Sequence, residues 1–368
     1  MKVLAALVAV GLLTAASYAQ SPKSGPWEMQ SSGTTASLRG IHAVGGGVAW
    51  ASGTDGTVLR TEDSGYMWQS CAMPPGAEKL DFRGIWAWDE NTAVIMSSGP
   101  GDQSRLYKTT DGCSHWTLLY TNPDKDGFWD AIAFQSQSHD KGFILGDPVN
   151  GRFVLFFTVD GGKTWERVNS KALDAGKTKI GAFAASNSAM TLDFNGFPTF
   201  GTSGPDGPWL YIPDVQCTAL STALDPAGCF RNGLLFTREK LPMAGDSPSA
   251  GVFALTGPTG MGWIAVGGDY TKPNEASGTV AAIKSWDGIS LLTLTATVKP
   301  PRGYRSTVAA DNAHDAWIAA GPNGSDISYD DGKTWQPLDD GNWNALNLPW
   351  IVGPKGRIAK LGALPAQK

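Results

Sequence analysis

Four stretches of this chain superimpose without a gap, and they restrict its fold more than any other feature. They are Thr61–Trp68, Thr109–Trp116, Thr158–Trp165 and Ser328–Trp335. Each sets a Ser or Thr two residues before an Asp and a Trp five residues after it, giving the pairs Asp63/Trp68, Asp111/Trp116, Asp160/Trp165 and Asp330/Trp335. Two worn copies, Thr237-Arg238-Glu239 and Ser285-Trp286-Asp287, lie between the third and the last. The acidic positions 63, 111, 160, 239, 287 and 330 are separated by 48, 49, 79, 48 and 43 residues. One period near 48 accounts for every step but the third, which needs an insertion of about 30 residues.

The motif has a mechanical rationale. Its hydroxyl and carboxylate can take up the free N–H groups of a glycine-containing hairpin turn, as Asx and ST turns do. The Trp can then cover the hairpin and pack toward the next sheet. On this reading the acidic residues of the boxes are structural and not catalytic. Upstream of each box lie three further short segments with strand character. In the first unit these are Arg39–Val44, Gly47–Ser52 and Thr57–Thr61, with Met67–Cys71 following. Four short antiparallel strands per repeat is the sign of a propeller blade. Blades are expected near 38–72, 82–120, 128–169, 179–244, 249–298 and 302–339. Residues 343–361 supply three strands of a seventh, and 25–31, where Trp27 matches Trp68, supply its fourth. The expected fold is therefore all-β: a seven-bladed propeller of four-stranded antiparallel blades, closed by its two terminal strands, which removes the open sheet edges. It forms one domain over 20–368 and is expected to be monomeric.

Residues 1–19 read as a signal peptide: Lys2, an apolar run Val3–Leu13, and small residues up to a cleavage point after Ala19. No later apolar run reaches membrane-spanning length. The reading is thus a secreted or periplasmic protein with no transmembrane segment after processing. Cys71, Cys113, Cys217 and Cys229 suit two disulfides in an oxidising compartment. Of the three possible connectivities, Cys217–Cys229, flanking one short loop, and therefore Cys71–Cys113 are favoured. With 29 basic and 34 acidic residues and no basic run, nucleic acid is not an expected partner. The four histidines have no metal-ligand spacing, the glycine run Gly45–Gly47 has no βαβ context, and no Gly-x-Ser-x-Gly occurs. No metal and no cofactor are expected.

The run from Leu38-Arg39-Gly40-Ile41 through Ala49-Trp50-Ala51-Ser52-Gly53 to the first box resembles Asp-box (BNR) propellers of the photosystem II stability/assembly-factor family. Segments such as Gly146–Phe153, Val266–Tyr270 and Gly321–Ser328 look like its non-photosynthetic bacterial relatives. The resemblance implies an exported binding scaffold that assists assembly or stability of an envelope protein complex. It also implies an arginine-lined surface near the ring centre, which carries over to Arg39, Arg83 and Arg305.

Topology places the boxes on one face of the disc and the starts of the inner strands on the other. Arg39, Arg83, Asp130 and Arg305 align at those starts. Asp147, Asp269 and Asp326 fall in the B–C turns of the same face. Together these seven residues are the candidate binding site, suited to a protein, an acidic peptide or a glycan. The bland alternative is that they line a wet pore and pair with one another. A sialidase is disfavoured, because the Arg-Ile-Pro motif is missing and the few glutamates sit on outer strands, boxes or far-side turns, Glu275 excepted. The remaining enzymatic alternative is a glycoside hydrolase or lyase acting on polysaccharide at the pore face with two aspartates, Asp130, Asp147 and Asp269 being the first suspects.

Overall fold

The computed structural model describes residues 25–364, apart from 137–138, 177–179, 194, 206, 216–224, 260–261 and 287–290. The signal-peptide segment and Cys217 therefore lie outside the described residues, as does the turn that contains Asp287. Short β-branched and apolar runs separated by glycine turns fold into seven four-stranded antiparallel sheets, each a meander in chain order except the last. Blade one consists of Leu38–Gly45, Val48–Gly53, Val58–Thr61 and Gln69–Ser70, named strands A to D from the inside outward. The inner strands of the next five blades are Phe82–Ala87, Trp129–Phe134, Met190–Leu192, Ala250–Thr259 and Thr307–Asp311. In the seventh sheet, Ala345–Asn347, Trp350–Val352 and Ile358–Leu361 are completed by Trp27–Gln30 from the other end of the chain. The molecule is a seven-bladed β-propeller with its ring closed by both termini.

Closure is a four-rung pairing, from Trp27 opposite Leu361 to Gln30 opposite Ile358. Side chains reinforce it on both flanks. The Trp27 indole donates to Ser325 Oγ of blade six at 3.0 Å, and the Trp68 indole of blade one donates to Gln30 Oε1 at 3.0 Å. The apolar core lies between blades, not within them. One cluster joins Leu38, Ile41 and Trp68 to Trp350 and Val352, and another joins Ile318 and Ile327 to Trp343 and Ile351.

The four Ser/Thr-x-Asp turns share one hydrogen-bond pattern. In the third, Thr158 Oγ1 donates to Asp160 Oδ1 (2.8 Å) and accepts from Gly162 N–H (3.0 Å), while Asp160 accepts from Thr164 N–H (2.9 Å) and Thr164 Oγ1 (2.6 Å). Asp63, Asp111 and Asp330 likewise accept the N–H four residues on. Trp68, Trp165 and Trp335 are buried between sheets, and the Trp116 indole donates to Ala72 O. In blade two a cysteine stands where the other three turns have a left-handed glycine. Cys113 holds φ 66° and is bonded to Cys71 of blade one, stapling the two blades.

One repeat reading is corrected. Thr237-Arg238-Glu239 is not at a turn: it lies inside the outer strand Leu234–Lys240, with Thr237 opposite Ile212 and Glu239 opposite Leu210. The third strand of blade four ends at Val215 and the fourth starts at Leu234, so the two are not joined by a tight hairpin that a carboxylate could cap. The extra length of this blade is divided between that connection and the segment before Met190.

Two outcomes test this architecture. Deleting residues 25–31 should lower the melting temperature by several degrees or more, because the strand Ile358–Leu361 becomes a bare edge. An unchanged melting temperature would contradict closure by the termini. Trp165→Ala should cost about 3–5 kcal/mol as a buried aromatic truncation. Asp160→Ala should cost about 1–2 kcal/mol through unpaired turn donors. Chemical denaturation measures both, and the reverse ranking would refute the assignment of roles.

Candidate functional site

The inner strands carry a repeated irregularity that aims side chains at the ring axis. Register shifts fall at Leu38/Gly40 in blade one, Phe82/Gly84 in blade two, Trp129/Ala131 in blade three and Val252/Ala254 in blade five. The residues taken out of the ladder are Arg39, Arg83, Asp130 and Phe253. A bulge re-aims its side chain, and four such residues around one axis converge. All four line one cavity of 440 Å³, together with Asp147, Phe183, Tyr270 and Tyr304. The face is set by backbone topology. Ser64 N–H of the C–D turn donates to Gly47 O of the A–B turn, whereas Thr54 N–H of the B–C turn donates to Ser37 O at the start of strand A. The cavity thus opens on the side away from the Ser/Thr-x-Asp turns.

Three expected members are elsewhere. Arg305 is fully buried, and its Nε donates to Asp326 Oδ2 at 2.8 Å while Nη1 donates to Tyr304 O at 2.8 Å. Asp326 is equally buried and also accepts from Arg302 Nε at 3.0 Å. The reason for the correction is register. Arg305 N–H donates to Gly267 O of the preceding blade, as Leu38 N–H does to Gly353 O and Trp343 N–H to Gly321 O. Arg305 is therefore the counterpart of Leu38, not of Arg39, and a slip of one residue turns a strand side chain to the opposite side. Ser306 therefore takes the Arg39 position in blade six, and its Oγ donates to Asn344 O of blade seven at 2.8 Å. Asp269 is the third correction. Its Oδ1 accepts from Thr271 N–H (3.0 Å) and Thr271 Oγ1 (2.7 Å), and it lines a neighbouring cleft with Lys272 and Glu275.

A central plug was not among the expectations. Before its short inner strand, blade four sends residues 181–188 across the channel. Asp147 Oδ1 accepts from Ala182 N–H at 2.9 Å, Arg83 Nη1 donates to Ala184 O at 3.1 Å, and Ser186 Oγ donates to Ser306 O of blade six at 2.7 Å. Asn187 Oδ1 accepts from Ile132 N–H at 2.8 Å, and its amide donates to Ile85 O and Ile132 O. Asn187 has φ 62°, a conformation asparagine tolerates better than most residues. Ala182–Ala185 floor the charged cavity, while Ser186–Ser188 line a second one of 310 Å³ on the opposite side. The only hint was the two small-residue and amide-rich steps, Ala184-Ala185 and Ser186-Asn187-Ser188.

The electrostatics of the charged cavity are uneven. Arg83 is paired with Asp81 at 2.7 Å. Arg39 has no ion pair or hydrogen bond among the described residues, and its buried Nε has no partner. Burial first, then the neighbouring Arg83 charge, lowers its pKa, an environment that an anion would relieve. Burial lifts the Asp147 carboxyl to about 6 against the opposing Ala182 N–H bond. Burial, with the Asp147 charge adding to it, pushes Asp130 well above the carboxylate range, and its Oδ2 has no hydrogen-bond partner. Among the described residues no cluster of His, Cys, Asp or Glu could hold a metal ion, and no helix is long and apolar enough to cross a membrane.

No family profile matches this sequence, and no curated protein does. Solved structures do match the fold. A structure described as YCF48 bound to D1 peptide is 16% identical with a TM-score of 0.61, over 93% of this chain and 98% of that one. YCF48 from Cyanidioschyzon merolae is 16% identical with a TM-score of 0.59, over 91% and 98%. The extracellular domain of a hybrid two-component system from B. thetaiotaomicron is 13% identical with a TM-score of 0.59, over 92% of this chain and 40% of that one. At such identities the likeness concerns the fold alone.

The raised Asp147 pKa has a signed consequence. The native state keeps this proton when the unfolded chain has lost it, so stability present below about pH 4 declines as pH rises toward 6. Asp147→Asn keeps an acceptor for Ala182 N–H and removes the charge. Relative to the parent, the variant should gain up to about 3 kcal/mol between pH 4 and pH 7, about two units at 1.4 kcal/mol each. Urea denaturation across that range reads the difference, and a constant offset would rule out a titrating Asp147.

Proposed function

We propose that this protein is an exported, non-enzymatic binding propeller that receives an extended segment of a partner protein on the face away from the Ser/Thr-x-Asp turns. One carboxylate of that segment, from a side chain or a chain end, meets Arg39. The observation that carries the reading is Arg39 itself: a cation in a 440 Å³ mouth, its Nε buried and unpartnered, with no ion pair among the described residues although the Asp81 charge acts on it. Around it, Phe183, Phe253, Tyr270 and Tyr304 offer aromatic surface for apolar side chains flanking the carboxylate. A partly desolvated arginine is well suited to charge-assisted hydrogen bonds with such a group. The YCF48 structure described with a D1 peptide supports a peptide-binding use of this architecture. The four turns are read as Asp boxes that stabilise blades. Export is supported by the order of charge, apolar run and small residues at the N-terminus and by the Cys71–Cys113 disulfide. In this setting the role proposed is assembly or stabilisation of an envelope protein complex.

The second reading, polysaccharide hydrolysis or lysis, has one observation in its favour: Asp130 and Asp147 share the cavity, and the Asp147 charge helps to raise the pKa of Asp130. Binding is preferred because Asp130 is only 1% exposed, out of reach of a glycosidic oxygen. Fluorescence anisotropy with a labelled octapeptide of Asp, Glu and Leu with a free C-terminus separates the two. Arg39→Gln should leave the melting temperature in place and weaken binding about tenfold or more at low salt, matching loss of a charge-assisted bond. Equal affinity of parent and variant would refute the site. Release of reducing ends from polysaccharide, lost in Asp147→Asn, would establish the hydrolytic reading instead.

A further inference from the structure

The plug leaves a second cavity, and its chemistry is unlike the first. It opens on the side of the Ser/Thr-x-Asp turns and measures 310 Å³, the lower end of the range of about 300–1,000 Å³ common for small-ligand sites. Among the described residues no lysine or arginine lines it, and Asp193 is the one acidic residue on its wall. His42, also on its wall, is neutral at ordinary pH, because burial lowers its pKa to about 4. His42 is half-buried on this wall.

The wall divides into an apolar and a polar part. Ile41, Ile132, Phe134 and Leu346 supply the first, and the half-buried Trp86 ring lies between Phe134 and His42, with centroids at 6.2 and 4.4 Å. The polar groups are tethered by one atom each, leaving another for a ligand. His42 Nδ1 accepts from Ala87 N–H at 3.4 Å, which places the ring proton on Nε2. Asn347 Oδ1 accepts from Ala43 N–H at 2.7 Å, and its amide nitrogen has no partner among the described residues. Asp193 Oδ1 accepts from Asn195 N–H (2.9 Å) and Phe197 N–H (2.8 Å), and a carboxylate with about four lone-pair sites retains acceptor capacity. Two donors and one acceptor, each held rigid by a backbone bond, therefore stand opposite an apolar surface.

We propose that this cavity is a binding site for an uncharged, hydroxylated ligand of the saccharide class, one or two pyranose rings in size. A pyranose has an apolar C–H surface and a rim of hydroxyls that both donate and accept, which complements the two walls. The absence of lysine and arginine from the lining disfavours phosphates and carboxylates here. This site stands apart from the peptide mouth and does not depend on it.

The test is an NMR titration of ¹⁵N-labelled protein with cellobiose, maltose and N,N′-diacetylchitobiose. The Trp86 indole N–H resonance, assigned by its loss in Trp86→Leu, should shift saturably with at least one of them. Asn347→Asp keeps the acceptor for Ala43 N–H and deletes the donor, and Asp193→Asn removes the charged acceptor. Each should weaken binding tenfold or more with the remaining indole resonances in place, whereas Arg39→Gln should leave it unchanged. No saturable shift with any of the three sugars overturns the proposal, as does a shift that survives both Asn347→Asp and Asp193→Asn. Binding of the acidic octapeptide tests the other mouth alone, so the two readings fail independently.

Discussion

Everything in this molecule depends on the pairing of Trp27–Gln30 with Ile358–Leu361. A linear array of seven sheets would end in two open edges, and its end blades would each lack a neighbour on one side. Joining the two chain ends within one sheet turns the array into a ring in which every blade packs between two others. The tryptophans that seal the seams, Trp27 against Ser325 and Trp68 against Gln30, act on both sides of this one sheet. Closure also creates the axis around which the inner strands converge, so the same pairing that protects the edges makes a central site possible.

What occupies that axis is decided by two local devices. The bulges of blades one, two, three and five lift single residues out of the ladder and turn them inward. The segment 181–188 of blade four then crosses the opening and is bonded to blades two, three, five and six, Leu255 N–H to Ser188 O being the contact with blade five. Its backbone polar groups are satisfied by the ring instead of by a strand ladder, which is the condition for burying irregular chain. The plug makes two cavities from one channel. One has arginine, ionisable carboxylates and aromatic rings; the other is almost free of charge.

Much of this was legible before any fold was in hand, and the failures have definite causes. The spacing of Asp63, Asp111, Asp160 and Asp330 carried the blade period, because each marks the same hairpin in its unit. Arg39, Arg83 and Asp130 could be aligned because each follows an apolar residue at the head of an inner strand. Arg305 was misplaced because the aromatic Tyr304 before it mimics the apolar residue that precedes Arg39, and an error of one residue exchanges the axis for the seam between blades. Thr237-Arg238-Glu239 resembled a box because a hydroxyl near an acid is a weak pattern. Only the hairpin length distinguishes a capped turn from a strand.

The sequence by itself determined the repeat, its period, and the complementary strands at the two ends. These are properties of local patterning, since strand alternation and turn chemistry are written within a few consecutive residues. The tertiary structure alone decided which charges meet and in what state. Arg83 was matched to Asp81 while Arg39 formed no ion pair among the described residues, Asp326 was given to Arg302 and Arg305, and Asp147 came to hold the plug with its proton affinity raised. Such outcomes depend on distances between residues far apart in the chain and on how much water each group retains, and neither quantity is encoded at the residue itself.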